Sequence, residues 1–323
     1  MPEISKVKIL PLVLALALPL ACAAAVFDVA VVPMGSTHEF WKAIHAGALK
    51  AERELNASGV PVRVIWKGPL REDDRDEQIQ VVENFVGRQV SGIVLAPLDS
   101  RALVRPVEEA VSAHIPVVII GSALRSDAQS SFVATDNREG GRIAARRLAQ
   151  LLGGRGNAIL LRCQAGSDAT EEREAGFLEV MRRDFPAITL LSTDQYAGAT
   201  RDTARRVAEN LLNRFGTEVN GVFASNESSA AGMLLALRDA GLAGGRVKFV
   251  GFDSGDTLLG GLRAGDIQGL VVQDPFAMGY RGVKTVVAVL RGEPVARTIR
   301  TGIALVTPEN VDAPAVAALL HPL

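Results

Sequence analysis

The chain contains the sequence Val247-Lys248-Phe249-Val250-Gly251-Phe252-Asp253-Ser254-Gly255, an apolar run of strand length that ends at a carboxylate and a glycine. A strand this apolar is typical of a parallel sheet that helices cover on both faces. Such sheets hold their ligands at the carboxyl ends of the strands. We therefore expect Asp253 to stand at a binding edge, with its two acceptor oxygens directed into open space.

Strand and helix patterns alternate through the rest of the chain. Apolar runs of strand length, such as 27–33 and 116–120, are followed by segments with helical periodicity, such as 39–56. The alternation starts again near residue 130, and only the tail at 307–323 is less regular. Repeated strand–helix units imply parallel sheets with right-handed crossovers. The sequence therefore predicts an α/β protein of two doubly wound parallel-sheet lobes.

The composition is that of an ordinary folded protein. The chain has 323 residues, of which 48% are apolar and 22% are charged, so its length suggests two globular domains or one large one. Its formal net charge of −1 provides no overall attraction to nucleic acid or to anionic lipid. Binding to nucleic acid is therefore not expected.

Residues 1–25 have the three-part layout of a secretory signal peptide. Lys6 and Lys8 precede an apolar run at 9–20, and small residues follow as far as Ala25. The apolar run is too short to span a membrane comfortably. The alternative is a buried N-terminal helix. The layout predicts an exported protein.

The two cysteines have different expected fates. Cys22 raises the question of a lipid anchor, but Pro19 occupies the position at which a lipoprotein signal has an aliphatic residue. We therefore expect a soluble exported protein and not a lipid-anchored one. Cys163 is then the only thiol of the mature chain, which excludes an intramolecular disulfide. It lies in an apolar run and is expected to be a buried structural thiol.

In the first half of the chain, polar and aromatic side chains follow the predicted strands. The first strand ends in a segment with Ser36, His38, Phe40 and Trp41. Adjacent aromatic residues that open a helix cannot both face the core, so one of them is free to stack on the C–H face of a sugar or to pack elsewhere. His38 can bond a hydroxyl, or it is a surface histidine. The fourth strand ends at Ser122, which offers a hydroxyl.

In the second half, four polar residues are candidates for the same edge: Arg173, Asn226, Asp253 and Gln273. Two of them have a plainer interpretation: Arg173 could form a surface salt bridge in the first turn of a helix, and Asn226 could cap a helix. Together they supply both donors and acceptors. That mixture suits a neutral polyhydroxylated ligand, because every hydroxyl both donates and accepts.

Motifs of catalysis are absent from the sequence. There is no phosphate-binding loop of the Walker type, no Gly-x-Ser-x-Gly segment and no zinc-type spacing of His and Cys. The four histidines leave acid–base work mainly to carboxylates, and nothing marks a pair of them for it. The sequence therefore predicts no catalytic residue, no metal and no cofactor.

Seven short segments, in their order and spacing, resemble the periplasmic sugar-binding proteins of the ribose-binding type, the soluble receptors of ABC importers. The core of LacI-type repressors shares this fold. The resemblance extends from Phe27 to about Thr307. The segments are Gly92-Ile93-Val94-Leu95-Ala96-Pro97, Ile115-Pro116-Val117-Val118, Thr135-Asp136-Asn137 with Gly140-Gly141, Arg173 with Gly176-Phe177, Val222-Phe223-Ala224-Ser225-Asn226, Val250-Gly251-Phe252-Asp253 and Gln273-Asp274-Pro275.

The resemblance implies a type I periplasmic binding protein fold, in which a three-segment hinge joins the two lobes. The crossings would lie near Thr135, Gln273 and Thr301. Lobe one would comprise 26–134 plus 274–301, and lobe two would comprise 135–273 plus 302–323.

The resemblance also implies roles at the site. Residues matching Arg173, Asn226, Asp253 and Gln273 form hydrogen bonds to the sugar, those matching Phe40 and Trp41 stack on it, and the one matching His38 makes a polar contact.

Two features depart from the family. Gly121-Ser122 replaces an Asp-Arg pair, and Ala199 replaces an aromatic residue unless Tyr196 fills that place. The departures favour another sugar, a polyol or a sugar derivative over ribose.

The function implied is capture of a sugar or polyol by hinge closure and its delivery to the membrane permease of an ABC importer, by a protein expected to be monomeric. The alternative is a periplasmic sensor subunit that reports to a membrane receptor or kinase. A LacI-type regulator would need a helix-turn-helix where the signal-like segment stands. An enzyme is disfavoured by the missing catalytic motifs.

Overall fold

The computed structural model describes residues 25–320, so the interpretations of the signal peptide before Ala25 and of Cys22 lie outside the described residues. The strands are β1 (Phe27–Val32), β2 (Val62–Trp66), β3 (Gly92–Leu95), β4 (Val117–Ile120), β5 (Ser131–Ala134), β6 (Gly156–Leu161), β7 (Ile188–Ser192), β8 (Gly221–Ala224), β9 (Lys248–Phe252), β10 (Gly269–Gln273), β11 (Thr298–Arg300) and β12 (Ile303–Val306). The helices are α1 (Glu39–Ala57), α2 (Arg75–Gly87), α3 (Val104–Ser112), α4 (Asn137–Leu151), α5 (Asp168–Asp184), α6 (Arg201–Phe215), α7 (Glu227–Asp239), α8 (Asp256–Arg263), α9 (Pro275–Leu290) and α10 (Pro314–Leu320).

The strands form two six-stranded sheets, which confirms the predicted α/β fold of two parallel-sheet lobes. The first sheet has the order β11-β5-β4-β3-β1-β2, and all of its pairs are parallel. The second has the order β12-β10-β9-β8-β6-β7. Its edge strand β12 pairs antiparallel with β10, and its other pairs are parallel.

Helices cover both faces of each sheet, which explains why the strands are apolar without alternation. In β1, Val29 and Val31 pack into one cluster with Ile44 of α1, whereas Ala30 and Val32 pack into another on the opposite face. The second sheet is divided in the same way between two clusters. The strand quoted at the outset is β9, buried on both faces as predicted.

Two helix pairs cross with their backbones in contact, and each contact is made by reciprocal glycines. These glycines are Gly47 and Gly279 in the pair α1–α9, and Gly141 and Gly176 in the pair α4–α5. A Cβ atom on Gly141 would lie 1.8 Å from the carbonyl oxygen of Arg173, and one on Gly176 would lie 2.0 Å from that of Arg138. No side chain fits at these distances, so glycine sets the spacing of the helices.

The chain passes between the sheets at three places: after β5, between β10 and α9, and between β11 and β12. Helix α9 returns to the first sheet, where Met278 and Val283 join the cluster of β1 and α1. At the outer crossings, the Thr135 and Thr301 hydroxyls lie 3.2 Å apart, and the Thr301 N–H donates to the Ala134 carbonyl. The lobe boundaries given above remain a prediction.

Three elements were not predicted, namely β11, β12 and α10. The edge strands have only three and four residues and are mostly partly exposed, so no buried apolar run marks them in the sequence. One helix start was wrong: α5 begins at Asp168, so Arg173 lies in its second turn and not in its first. Within residues 25–320, no helix has the length and apolar character to cross a membrane.

Candidate ligand-binding site

The carboxyl ends of the two sheets face each other across a hollow of about 50 Å³. An ordered water needs roughly 10–15 Å³ on the same measure, so the hollow has room for a small ligand. Of the nine predicted site residues, seven line it: His38, Phe40, Trp41, Arg173, Asn226, Asp253 and Gln273. The two halves of the predicted site are therefore brought together.

Ser36 and Ser122, by contrast, are not among the lining residues. Ser122 is fully buried, and its hydroxyl oxygen accepts a 3.1 Å bond from the N–H of Ala169 in the second lobe. Its hydroxyl therefore links the lobes beside the hollow. Tyr196 is also elsewhere: it is 41% exposed, and its hydroxyl accepts from Arg162. Tyr196 therefore does not supply, at this hollow, the second-lobe aromatic residue that the family has and that Ala199 replaces here.

Arg173 is a buried guanidinium held from several sides. Its Nε donates to Asn137 Oδ1 at 2.9 Å, and its Nη1 donates to the Ser225 carbonyl at 3.0 Å. The guanidinium carbon lies 3.9 Å from the centre of the Phe252 ring, a cation–π contact. Burial lowers the pKa of Arg173, and the Asp253 carboxylate, 3.7 Å from Nη1, opposes that shift. The side chain is fixed in one orientation before any ligand arrives.

Asp253 follows β9 directly and is held in the left-handed region, with φ of 70°. Few residues other than glycine adopt this conformation, and aspartate is among them. Oδ1 accepts a 2.6 Å bond from Gln273 Nε2, and Oδ2 accepts one of 3.2 Å from the N–H of Glu227. Burial raises the pKa of Asp253, and Arg173 opposes that shift. The turn thus directs a buried carboxylate to the hollow.

Asn226 caps helix α7, as its alternative interpretation proposed. Its Oδ1 accepts from the N–H of Ser229 at 3.1 Å, and its Nδ2 donates to the Ser228 hydroxyl at 2.9 Å. The amide also lines the hollow, so capping and ligand contact are compatible. Contact with a ligand remains a prediction for this residue.

The first lobe contributes an aromatic wall. Phe40 and Trp41 meet edge to face, with ring centres 5.1 Å apart. Trp41 is 4% exposed and its Nε1 donates to Glu72 Oε1 at 2.6 Å, while Phe40 is half-buried. His38 Nδ1 lies 2.8 Å from the same Glu72 oxygen. Burial lowers the pKa of His38, but the bond and charge of Glu72, together with the charge of Glu227, outweigh burial and raise that pKa above 6.5.

Two acidic residues of the lining were missed in the sequence. Glu72 stands among Asp73, Asp74 and other charged residues, a pattern that indicates a solvated loop. Glu227 is the first residue of α7, where an acid is explained by the helix dipole alone. Only the tertiary fold shows that both carboxylates reach the hollow.

Behind the hollow, Glu174 ties two strand ends together. Its Oε1 accepts the N–H of Cys163 at 3.1 Å and the Ser225 hydroxyl at 3.0 Å. Burial raises the pKa of Glu174 to about 7, although Arg162 lies 3.6 Å from Oε2 and opposes that shift. Cys163 is buried as predicted and also lines the hollow, and burial raises the pKa of its thiol.

Glu174→Gln is expected to flatten the fall in stability between about pH 4.5 and 7. The folded state keeps the Glu174 proton up to a pKa of about 7, whereas the unfolded chain loses it near 4.5. Stability is therefore lost as pH rises between these values, on the order of 3 kcal/mol for this group. Denaturant unfolding at several pH values measures it. The control is Glu209→Gln, which removes an acid from an exposed salt bridge with Arg205 and should keep the wild-type dependence of stability on pH. An unchanged dependence in Glu174→Gln would contradict the prediction.

Within residues 25–320, no three His, Cys, Asp or Glu side chains are arranged to hold a metal ion. The lining instead offers one guanidinium, carboxylates, amides and an aromatic wall. This set can orient a small polar molecule through hydrogen bonds and cover its apolar face.

Comparison with known proteins gives consistent results. A family model described as periplasmic binding protein domain matches residues 29–294. The ribose import binding protein of Escherichia coli is 31% identical over 220 residues, which cover 68% of this chain and 72% of that protein. The xylitol-binding protein of Mycolicibacterium smegmatis is 28% identical over 251 residues, which cover 78% of this chain and 70% of that protein.

Solved structures agree in fold. A carbohydrate transporter solute binding protein from Agrobacterium radiobacter, in complex with D-arabinose, is 36% identical, with a TM-score of 0.86. The match covers 92% of this chain and 100% of that one. An ABC transporter solute binding protein from Agrobacterium vitis, with bound D-fucose, is 32% identical, with a TM-score of 0.86 over 91% of this chain and 100% of that one.

Proposed function

The chain belongs to the periplasmic sugar-binding proteins of the ribose-binding type, and on this premise we propose that it captures a sugar or polyol for an ABC importer. Its relatives are substrate-binding proteins of transporters and not enzymes. The family works outside the cytoplasm and with a membrane permease. The alternative of a sensor subunit finds no support in the names of these relatives.

The observation that carries the proposal is the buried group formed by Arg173, Asp253 and Gln273 at the hollow. All three are at most 6% exposed, and Gln273 Oε1 has no hydrogen-bond partner among the residues that the structure describes. A buried polar atom without a partner is unfavourable unless a ligand or water completes it. We assign the ligand's hydroxyl groups to this cluster, and its C–H face to Phe40 and Trp41.

Contacts between the lobes support capture by closure. Across the cleft, the Ser100 N–H donates to the Gly166 carbonyl at 2.9 Å, and Gln164 Nε2 donates to the Glu72 carbonyl at 3.1 Å. These bonds lie beside the hollow and join elements of different sheets. In the open form they would be exchanged for water, so a ligand that bridges the sheets would favour the closed form.

Titration calorimetry against a panel of monosaccharides and polyols tests the proposal. We expect at least one compound to bind with a Kd in the micromolar range or below, and small-angle scattering to show a smaller radius of gyration on its addition. Asp202→Ala, which neutralises an exposed acid of α6, is the control and should bind normally. If no sugar or polyol binds the folded protein, the proposal is wrong.

A further inference from the structure

The hollow has more carboxylates than a neutral ligand needs. Glu72, Glu227 and Asp253 line it, and Arg173 is the lining residue with a permanent positive charge. Arg201 reaches Glu227 Oε1 at 2.7 Å from the outer side, where it is 43% exposed. The three carboxylates therefore outnumber the two arginines by one formal charge, and His38, 2.8 Å from Glu72, is the remaining neighbour that can carry a positive charge.

Of the three carboxylates, Glu227 is the one with an oxygen that lacks a hydrogen-bond partner among the described residues. Asp253 receives bonds at both oxygens, and Glu72 Oε1 receives those of Trp41 and His38. Glu227 is 3% exposed, and its Oε2 has no hydrogen-bond partner within residues 25–320. A buried carboxylate oxygen of this kind requires a donor, and preferably a charged one.

Gln273 Oε1 is the second unpartnered atom in the lining. Its amide cannot be turned to change this, because Nε2 donates to the Asp253 carboxylate at 2.6 Å and the oxygen must then point away. Both buried lining side-chain atoms without a partner are therefore acceptors. The ligand must bring donors to both.

An ammonium group supplies what these atoms lack, since it has three donors, no acceptor and a positive charge. A hydroxyl donates only one hydrogen and brings no positive charge to the buried Oε2 of Glu227. Arg173 and Asn226 still present N–H groups at the hollow, which require ligand oxygens. The combination describes a small molecule with several hydroxyls and one amine.

We propose that the ligand of this site is an amino sugar or amino polyol whose ammonium group is bound by Glu227. This inference rests on the proposed function and narrows its substrate class. Because the partner groups are buried, the charged bond should contribute at least about tenfold in affinity over a hydroxyl at the same position.

Calorimetry with matched sets tests the inference. Each set contains an amine, its hydroxyl parent and its N-acetyl form: glucosamine with glucose and N-acetylglucosamine, the same for galactose and mannose, and an amino-deoxy-inositol with inositol. We expect the amine to bind at least about tenfold more tightly than its parent in at least one set. Glu227→Gln should remove that preference, and Glu227→Asp should retain part of it.

Glu39→Gln is the matched control, because it removes an exposed acid of α1 that does not line the hollow and should leave the preference intact. Parents that bind as tightly as their amines would overturn the inference and leave the proposed function standing. A preference that survives in folded Glu227→Gln would also overturn it. If Glu227→Gln does not fold, the wild-type comparison decides alone. If no member of any set binds while another sugar or polyol of the wider panel does, the inference is wrong and the proposed function stands; only the failure of every compound in both would end the proposed function.

Discussion

Asp253→Ala should reduce ligand affinity by at least about 100-fold and destabilise the protein by about 3–5 kcal/mol. The substitution removes the carboxylate that accepts from Gln273 and from the backbone of Glu227. It also leaves the buried Arg173 without its neighbouring charge, 3.7 Å away. Alanine is further disfavoured at a φ of 70°. Calorimetry measures the affinity, and denaturant unfolding measures the stability.

Asp253→Asn separates the two effects. Asparagine tolerates the left-handed backbone and keeps the size of the side chain. Backbone strain and an empty cavity therefore add little to the loss of stability in this variant. The lost charge should still reduce affinity by more than tenfold, because hydrogen bonds to charged groups are the stronger ones. Asp202→Ala again serves as the surface control. Wild-type affinity in a folded Asp253→Asn would remove Asp253 from the proposed site.

Gly141→Ala should destabilise the second lobe by about 3 kcal/mol, a fall in Tm of roughly 5–10 °C. The new methyl group would lie 1.8 Å from the Arg173 carbonyl oxygen, so α4 and α5 must move apart. Because Arg173 is itself in α5, that movement also displaces its guanidinium from the hollow. Affinity should fall together with stability, although residue 141 does not line the site.

Gly260→Ala is the matched control for this prediction. Gly260 also lies in a helix, but a Cβ atom there would meet nothing within 4 Å. Alanine should leave affinity unchanged and stabilise the protein by roughly 0.5–1 kcal/mol, as expected at an open helical position. If both variants melt at the wild-type temperature, the close crossing of α4 and α5 does not limit the stability of the lobe.

The fold was largely predictable because buried parallel strands and their covering helices leave strong local patterns. The apolar run of β9 and the periodicity of α1 were placed within a residue or two of their observed limits. The edge strands β11 and β12 were missed, since their few residues are partly exposed and gain order only from pairing with β5 and β10.

The lining of the hollow was predictable where a polar residue ends an apolar strand, as at Asp253 and Gln273. It was not predictable where local physics already explains the residue. Glu227 reads as a favourable acid at a helix start, and Glu72 reads as part of a charged loop. Ser122 is a different case: its hydroxyl was expected at the ligand, the structure shows it accepting from the N–H of Ala169 in the other lobe, and its contact with a ligand stays a prediction.

The three passages of the chain between the sheets affect how the protein is made. Strand β5 obtains its outer neighbour β11 only when residues 298–300 exist, and α1 is covered by α9 only after residue 275. The first half of the polypeptide therefore cannot reach its final fold while the ribosome is still synthesising the second. Late closure of such distant contacts slows folding. The first lobe is therefore completed only when the chain is nearly fully synthesised.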